Sequence, residues 1–177
     1  MNALPKTMTA KTITARAFVP RKDDTRTLRD AFGRFATGVT IVTCDSDDGP
    51  ICITANSFSS LSLDPPLVMW AGDRNSRRFP YFHKARHFSV HVLSAGQSEL
   101  CFGCSRNAHA LREIDHDRCE NGTPLLPDCL ARFECEQHAY YDAGDHVIVV
   151  GEVLRASMTD GDALAFYAGK YGQFARH

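Results

Sequence analysis

A run of hydroxyl and amide side chains in residues 54–67 is the part of the sequence best suited to bind a ligand. Its members, which precede a double proline, are Thr54, Asn56, Ser57, Ser59, Ser60 and Ser62. Short hydroxyls can donate hydrogen bonds to phosphate and carbonyl oxygens without adding charge. Backbone N–H groups in an irregular turn can do the same. The run suits a ligand with a carbonyl-bearing ring and a phosphate tail, although a plain solvent loop has the same composition.

Cys101 and Cys104 form a C-x-x-C pair on a predicted helix, which could act as a redox pair or as half of a zinc site. The candidates for the other half of a zinc site are Cys119, His109 and His116. Their spacing matches no standard zinc motif, so we predict no metal site. The simpler interpretation is that the cysteines are small apolar side chains of a reduced protein.

The bulk composition bounds the function classes. The chain has 177 residues, of which 44% are hydrophobic and 23% charged, as expected for one globular domain. Its net charge of −1 gives no reason to expect nucleic acid or an anionic membrane as a partner. The seven cysteines are an odd number, which argues against a secreted disulfide scaffold and favours a cytoplasmic location. Residues 1–25 lack apolar periodicity, and we predict that they form a flexible arm before a domain of residues 26–177.

The hydrophobic pattern predicts mostly strands. Helical spacing occurs in residues 28–35, and a capping box at Ser94 and Gln97 predicts a helix that runs to about residue 104. A short helix is predicted after Asn75 and Ser76, limited by Pro80. Strands are predicted at residues 39–44, 51–54, 67–71, 87–93, 131–135 and 146–153. About six strands without alternating β and α segments predict a mainly β protein, an antiparallel barrel with peripheral α-helices.

Several ordered motifs resemble the flavin reductase-like family, the short-chain NAD(P)H:flavin oxidoreductases that serve two-component monooxygenases. They are ATGVTIVT (36–43), TANSF (54–58), SLSLDPPL (60–67), FSVHVLSAGQ (88–97), GTPLLPDCLARFEC (122–135), AGDHVIVVGEV (143–153) and AFYAGKYGQF (165–174). The resemblance covers about residues 26–174. It departs from the family at His91, where the family usually has Asn, and at CFGCS (101–105), where the family usually shows Phe-Ala.

The resemblance also implies site residues, position by position. Those expected to line the isoalloxazine ring of the flavin are Thr54, Ala55, Asn56, Ser57 and Phe58. Those expected to hold its ribityl chain and phosphate are Ser60, Leu61 and Ser62. Further flavin contacts are implied for Asn75, Ser76, Ser94 and Ala95. The residues implied to contact the nicotinamide are His146, Tyr171 and Gly172, and we predict that His146 is the catalytic residue that orients it.

The function implied by the resemblance is hydride transfer from NADH to FMN or FAD, with reduced flavin passed to a partner monooxygenase. The implied fold is a Greek-key split β-barrel, and the implied assembly is a homodimer with flavin pockets near the subunit boundary. The choice between FMN and FAD stays open. NADPH is possible as the hydride donor, although no cluster of basic residues indicates a binding site for its 2′-phosphate. Two other functions stay open: a flavin carrier without strong reductase activity, and a flavin-dependent oxygenase or reductase of an organic substrate.

Overall fold

The β-branched and aromatic runs of the sequence form antiparallel strands in the computed structural model, which describes residues 14–174. The strands are β1 (Thr37–Gly38), β2 (Thr40–Cys44), β3 (Ile51–Ala55), β4 (Ser59–Leu63), β5 (Pro66–Asp73), β6 (His87–Val92), β7 (Asp117–Arg118), β8 (Pro124–Leu125), β9 (Ala131–Ala143), β10 (His146–Met158), β11 (Leu164–Tyr167) and β12 (Lys170–Gln173). The helices are α1 (Thr25–Phe32), α2 (Phe79–Lys84) and α3 (Ser98–Arg106), with 3₁₀ turns at Ala95–Gln97 and Ala110–Arg112.

Seven strands form one antiparallel sheet in the order β3-β2-β6-β9-β10-β5-β4. Its two outer strands, β3 and β4, follow each other along the chain, and β3 also contacts β5. The sheet therefore curls on itself, as a barrel requires. A smaller sheet, β1-β11-β12, and the β7–β8 pair lie beside it. The mainly β, antiparallel fold with peripheral helices is confirmed.

Two apolar clusters fill the fold. One lies inside the curled sheet around Trp70, whose ring meets Phe82 edge to face with 5.2 Å between centroids. The other lies between the sheet and α3 and contains Leu93, Cys101 and Leu126. Burying each such large side chain stabilises the fold by about 1.5–3 kcal/mol. The second cluster fixes α3 against the strands, which is how the C-x-x-C helix comes to lie beside the polar run.

The capping box predicted before α3 is present. Ser94 donates its backbone N–H to Oε1 of Gln97 at 3.0 Å, and the Gln97 amide group donates to the Pro127 carbonyl at 2.9 Å. This 3₁₀ turn leads directly into α3, which ends at Arg106. The predicted helix is therefore confirmed, and it ends two residues beyond the predicted position.

Three expectations about the elements need correction. The polar stretch after residue 58 is not a loop, because Ser59–Leu63 pairs with β5 as an edge strand. The first helix ends at Phe32, short of the predicted residue 35, and Asp24 caps it by accepting from the Thr27 N–H at 3.2 Å. Pro80 lies in the first turn of α2 instead of limiting it, which suits proline because the first N–H groups of a helix lack intrahelical partners.

The number and length of the strands exceed the prediction, since the described residues contain twelve. Residues 1–13 of the predicted arm lie outside the described residues, and residues 14–26 are exposed. Within residues 14–174, no helix is both long enough and apolar enough to cross a membrane.

Candidate functional site

The polar run lies where β3 passes into β4, and its hydroxyls hold the chain in place there. Thr54 donates its hydroxyl to the Cys101 carbonyl at 3.0 Å, which ties the end of β3 to α3. The Ser57 hydroxyl accepts from the Ala71 N–H at 2.9 Å and lies 3.1 Å from the Ala71 carbonyl, so it bridges to β5. These two side chains are therefore engaged within the fold and position Asn56 between them.

The exposed side chain of Asn56 borders three neighbouring cavities, which we call the Asn56 cleft. The largest, about 710 Å³, lies between α1 and the β11–β12 hairpin. A second, of about 540 Å³, is bordered by Ser57, Phe58 and Val92. The third, about 220 Å³, is bordered by Thr54, Ser105, Phe166 and Tyr171. Asn56 thus occupies the point where these spaces meet.

The Asn56 cleft brings together part of the predicted site. Thr54, Asn56 and Tyr171 border one cavity, although Tyr171 is far from the other two in sequence. Burial, and then a hydrogen bond with the Cys101 thiol, raise the pKa of Tyr171 to about 12. Its hydroxyl is therefore neutral at physiological pH and can act as a donor without carrying charge.

Ala55 and Phe58 contribute differently. Ala55 is nearly buried, and its carbonyl accepts from the Thr40 hydroxyl at 2.7 Å. Phe58 borders the second cavity, and its ring stacks on Phe133 with 5.6 Å between centroids. Phe58 thus packs against the barrel core. Its side chain both holds the turn in place and forms part of the wall of the cleft.

Several predicted residues lie on other features of the fold. Ser60, Leu61 and Ser62 are on the edge strand β4, where Leu61 is 52% exposed. Gly172 pairs with Ala165 in the small sheet. The backbone N–H groups of Ser94 and Ala95, which the resemblance assigns to flavin contacts, donate to Gln97 Oε1 and to the Asp162 carbonyl. Within residues 14–174, none of these six residues is among those that border the Asn56 cleft.

Asn75 and Ser76 border a separate cavity of about 620 Å³. We call it the arginine cavity, because Arg77, Arg78 and Arg106 also line it. Its other lining residues are Tyr81, Asn107, Ala108 and His109. Sequence reasoning missed these arginines as a group, because Arg106 meets the other two only when α3 packs on the sheet.

His146 begins β10 and lies beside a carboxylate. Its Nδ1 is 2.8 Å from Oδ1 of Asp145, and its side chain is 44% exposed. The hydrogen bond from His146, followed by its charge, lowers the pKa of Asp145, and the positive charge of Arg29 adds to the effect. Arg29 also borders the largest cavity of the Asn56 cleft.

The sequence offered weak signals for other cleft residues. Thr37 belongs to the ATGVTIVT motif, but Arg29 and Phe35 of the α1 segment and Ser105 at the end of α3 were not predicted. Phe166 lies within the motif AFYAGKYGQF, but it was not predicted as a site residue. These side chains converge because the small sheet and α1 fold back over the end of β3.

The cysteine pair is part of the packing. Cys101 and Cys104 are fully buried in the second apolar cluster, with Cys52. A hydrogen bond with Cys52, together with burial, raises the pKa of Cys104 above its ordinary range. A thiol held protonated in this way is a poor nucleophile. Within residues 14–174, no group of three or more His, Cys, Asp or Glu side chains is arranged to hold a metal ion.

The sequence of the chain is similar to those of proteins described as flavin reductases. A family model described as "Flavin reductase like domain" matches residues 32–175. SmoA, an FMN reductase (NADH) of Agrobacterium fabrum, is 50% identical over 159 residues, which are 90% of this chain and 91% of that protein. The reductase subunit HsaB of a flavin-dependent monooxygenase from Rhodococcus jostii is 36% identical, over 84% of this chain and 77% of its own length.

The fold is similar to that of solved flavin reductases. The NADH:FAD oxidoreductase SgcE6 of Streptomyces globisporus superposes with a TM-score of 0.85 at 34% identity, covering 93% of this chain and 96% of that one. Some curated relatives are longer, and the chain spans between 48% and 65% of the length of three of them. These similarities extend across both the Asn56 cleft and the arginine cavity.

Proposed function

Because this chain belongs to the flavin reductase-like family, we propose that it binds FMN or FAD and reduces it with a hydride from NADH. The observation that carries this proposal is the Asn56 cleft, because its two smaller cavities are lined by neutral polar, apolar and aromatic side chains, which suit an uncharged, carbonyl-bearing ring. When bound, the flavin supplies the hydride acceptor. The chain's own task is to bind and orient the two ring systems and to keep them in contact.

The neutral side chains of the cleft match this task. Asn56 offers both donors and an acceptor to ring carbonyl and imide groups. The Tyr171 ring, wedged against Phe102 and Phe166 with centroids 5.1 and 5.0 Å away, forms a rigid wall. No charged nucleophile is needed, because hydride transfer proceeds between the two bound rings.

We assign to His146 the orientation of the nicotinamide. Its Nδ1 faces Asp145, which fixes the ring and leaves Nε2 available for a carboxamide or phosphate oxygen. This role is supported by the motif AGDHVIVVGEV. Tyr171 and Gly172, in the hairpin that borders the same cleft, are proposed to contact the nicotinamide from the other side.

We also propose the assembly and the setting in which the enzyme works. The name of HsaB describes a reductase subunit of a flavin-dependent monooxygenase, and a similar partner would consume the reduced flavin made here. Leu63 and Met158 are 96% and 91% exposed, which supports a homodimer that covers them. The buried free thiols support a cytoplasmic location. The finer class proposed for the enzyme is EC 1.5.1.

Anaerobic mixing of the purified protein with FMN and an excess of NADH tests the proposal directly. We expect the visible absorption band of FMN to bleach over many turnovers. Binding of FMN without bleaching would identify a carrier instead. Bleaching that requires an added organic compound would identify an enzyme that acts on that compound.

The substitution His146→Ala tests the assigned role. Losing one hydrogen bond to the nicotinamide nucleotide should raise KM for NADH about fivefold, with a smaller effect on kcat. His138→Ala is a matched control, because the His138 side chain is also 44% exposed and lies 3.7 Å from a carboxylate oxygen of Glu152. An unchanged KM in His146→Ala, or an equal rise in both variants, would contradict the role.

A further inference from the structure

Tyr171 is held from three sides in the wall of the Asn56 cleft. Its ring meets Phe102 edge to face with 5.1 Å between centroids, and it lies against Phe166 at 5.0 Å. Its hydroxyl shares a hydrogen bond with the thiol of Cys101. Cys101 and Phe102 are neighbours on α3, so this helix supplies both a polar and an aromatic contact to Tyr171.

The strand that carries Tyr171 gives its side chain little support of its own. Every residue of β12 is exposed, and Tyr171 itself is 37% exposed. Within residues 14–174, β12 pairs only with β11 and is the outer strand of its small sheet. A half-exposed side chain on such a strand keeps several rotamers unless other contacts restrict it. The contacts with α3 therefore fix the orientation of the Tyr171 ring.

Cys101 is a rigid support for this contact. Its side chain is fully buried in the second apolar cluster, between the sheet and α3. Its backbone carbonyl accepts from the Thr54 hydroxyl at 3.0 Å. Cys101 thus contacts Thr54 through its carbonyl and Tyr171 through its thiol, and those two residues border the same cavity of about 220 Å³. One buried residue therefore connects two walls of this cavity.

We propose that Cys101 is a positioning residue, whose thiol holds the Tyr171 ring in the orientation that contacts the nicotinamide. This inference rests on the proposed function, which assigns that contact to Tyr171. A ring that is already fixed loses less conformational freedom when the nucleotide binds. The thiol should therefore lower KM for NADH and leave kcat nearly unchanged. The thiol stays reduced and takes no part in the chemistry.

Steady-state oxidation of NADH by the whole protein with FMN tests the proposal. Cys101→Ala removes the thiol and keeps the carbonyl that anchors Thr54. We expect KM for NADH to rise about threefold, the effect of one weak hydrogen bond, with kcat changed less than about 1.5-fold. Cys101→Ser keeps a group that can share the bond, so its KM should stay within about 1.5-fold of the unmodified value.

Cys104→Ala is the matched control for lost packing. Cys104 is also fully buried on α3, but its hydrogen bond is with Cys52. Its replacement should change KM less than about 1.5-fold, because the contact with Tyr171 remains. A double-mutant cycle adds a second test. If the thiol acts through the Tyr171 hydroxyl, Cys101→Ala should raise KM no further when Tyr171→Phe is already present.

Raman spectra of the reduced protein in the S–H stretching region examine the contact without any nucleotide. The frequency of an S–H stretch depends on the hydrogen bonding of the thiol. One band should therefore be missing in Cys101→Ala, and the same band should shift in Tyr171→Phe. The spectra and the kinetics together separate the contact from its effect on NADH.

An unchanged KM in Cys101→Ala would overturn the proposal, as would an equal rise in Cys104→Ala, since lost packing would then explain both. Additive effects in the cycle, or a Cys101 band that stays in place in Tyr171→Phe, would also overturn it. A protein that shows the Raman shift but fails to oxidise NADH would refute the reductase function and keep the contact by which Cys101 holds Tyr171.

Discussion

Lowering the pH from about 7 to about 4.5 should destabilise this protein more than a variant without the imidazole of His91. His91 is fully buried on β6. Its Nε2 accepts from the Leu126 N–H at 3.1 Å, and its Nδ1 lies 3.1 Å from the Ile41 carbonyl. Because Nε2 accepts, the proton of the neutral ring is on Nδ1, where it is donated to Ile41. A second proton would place two N–H groups against each other.

The size of the effect follows from the shift in the pKa of His91. Burial lowers this pKa to about 3, and the positive charge of Arg132 acts in the same direction, while the hydrogen bond to Ile41 opposes them. In the unfolded chain the imidazole binds its proton near pH 6.5. Below that pH, His91 binds a proton in the unfolded state but not in the native state. The free energy of unfolding therefore falls by about 1.4 kcal/mol per pH unit until the pH reaches the pKa of His91 in the folded protein. The loss between pH 7 and 4.5 is about 2.5 kcal/mol.

Urea unfolding of the unmodified protein and of His91→Asn, followed by circular dichroism at both pH values, isolates this contribution. Asparagine offers a donor and an acceptor but does not titrate. The carboxylates titrate in both proteins, so their effects cancel in the difference. The difference in unfolding free energy between the two proteins should shift by about 2.5 kcal/mol in favour of the variant at the lower pH. Parallel pH profiles would refute the assignment of a neutral, buried His91.

Two further predictions concern packing around the barrel and the cleft. A Cβ on Gly151 would lie 2.4 Å from Cζ of Phe88 and 3.0 Å from Cβ of Cys135. Gly151→Ala should therefore lower the free energy of unfolding by about 1–3 kcal/mol in the urea assay. Unchanged stability would mean that the Phe88 ring moves aside without cost. Tyr171→Ala removes the ring that walls the cleft beside Phe166 and should raise KM for NADH about fivefold, with a smaller rise in Tyr171→Phe; equal effects would assign the role to the hydroxyl.

The strands that bury side chains on one or both faces could be predicted from the sequence. β2 is rich in β-branched residues and β6 has an alternating apolar pattern, and nearly all residues of both strands are buried. β4 was missed because serine is common in loops, and this edge strand is held mainly by its pairing with β5. The later half of β10 was missed because it is exposed, so no apolar pattern marks it. Both segments are strands because they pair with neighbouring strands in the fold, and the hydrophobic pattern of the sequence does not reveal that pairing.

The candidate site divides in the same way. Residues 54–58 form a continuous motif, and the resemblance was sufficient to select them. Arg77 and Arg106 come from different elements, and each alone is an ordinary surface arginine. Only the packing of α3 against β2 and β3 places them around one cavity. A sequence can therefore indicate a ring-binding turn directly, whereas a charge cluster assembled across elements becomes visible only in the fold.

The hydrogen bonds of the polar run separate its structural work from its binding work. The hydroxyls of Thr54 and Ser57 form hydrogen bonds with the backbone of Cys101 and Ala71. Asn56 is therefore the residue of the turn whose side chain stays exposed toward the cleft. A neutral ring would thus be read by one amide and by backbone groups. Substitution of Asn56 should therefore weaken the binding of riboflavin and FMN alike, because both carry the same ring; unequal losses in a fluorescence titration would contradict this assignment.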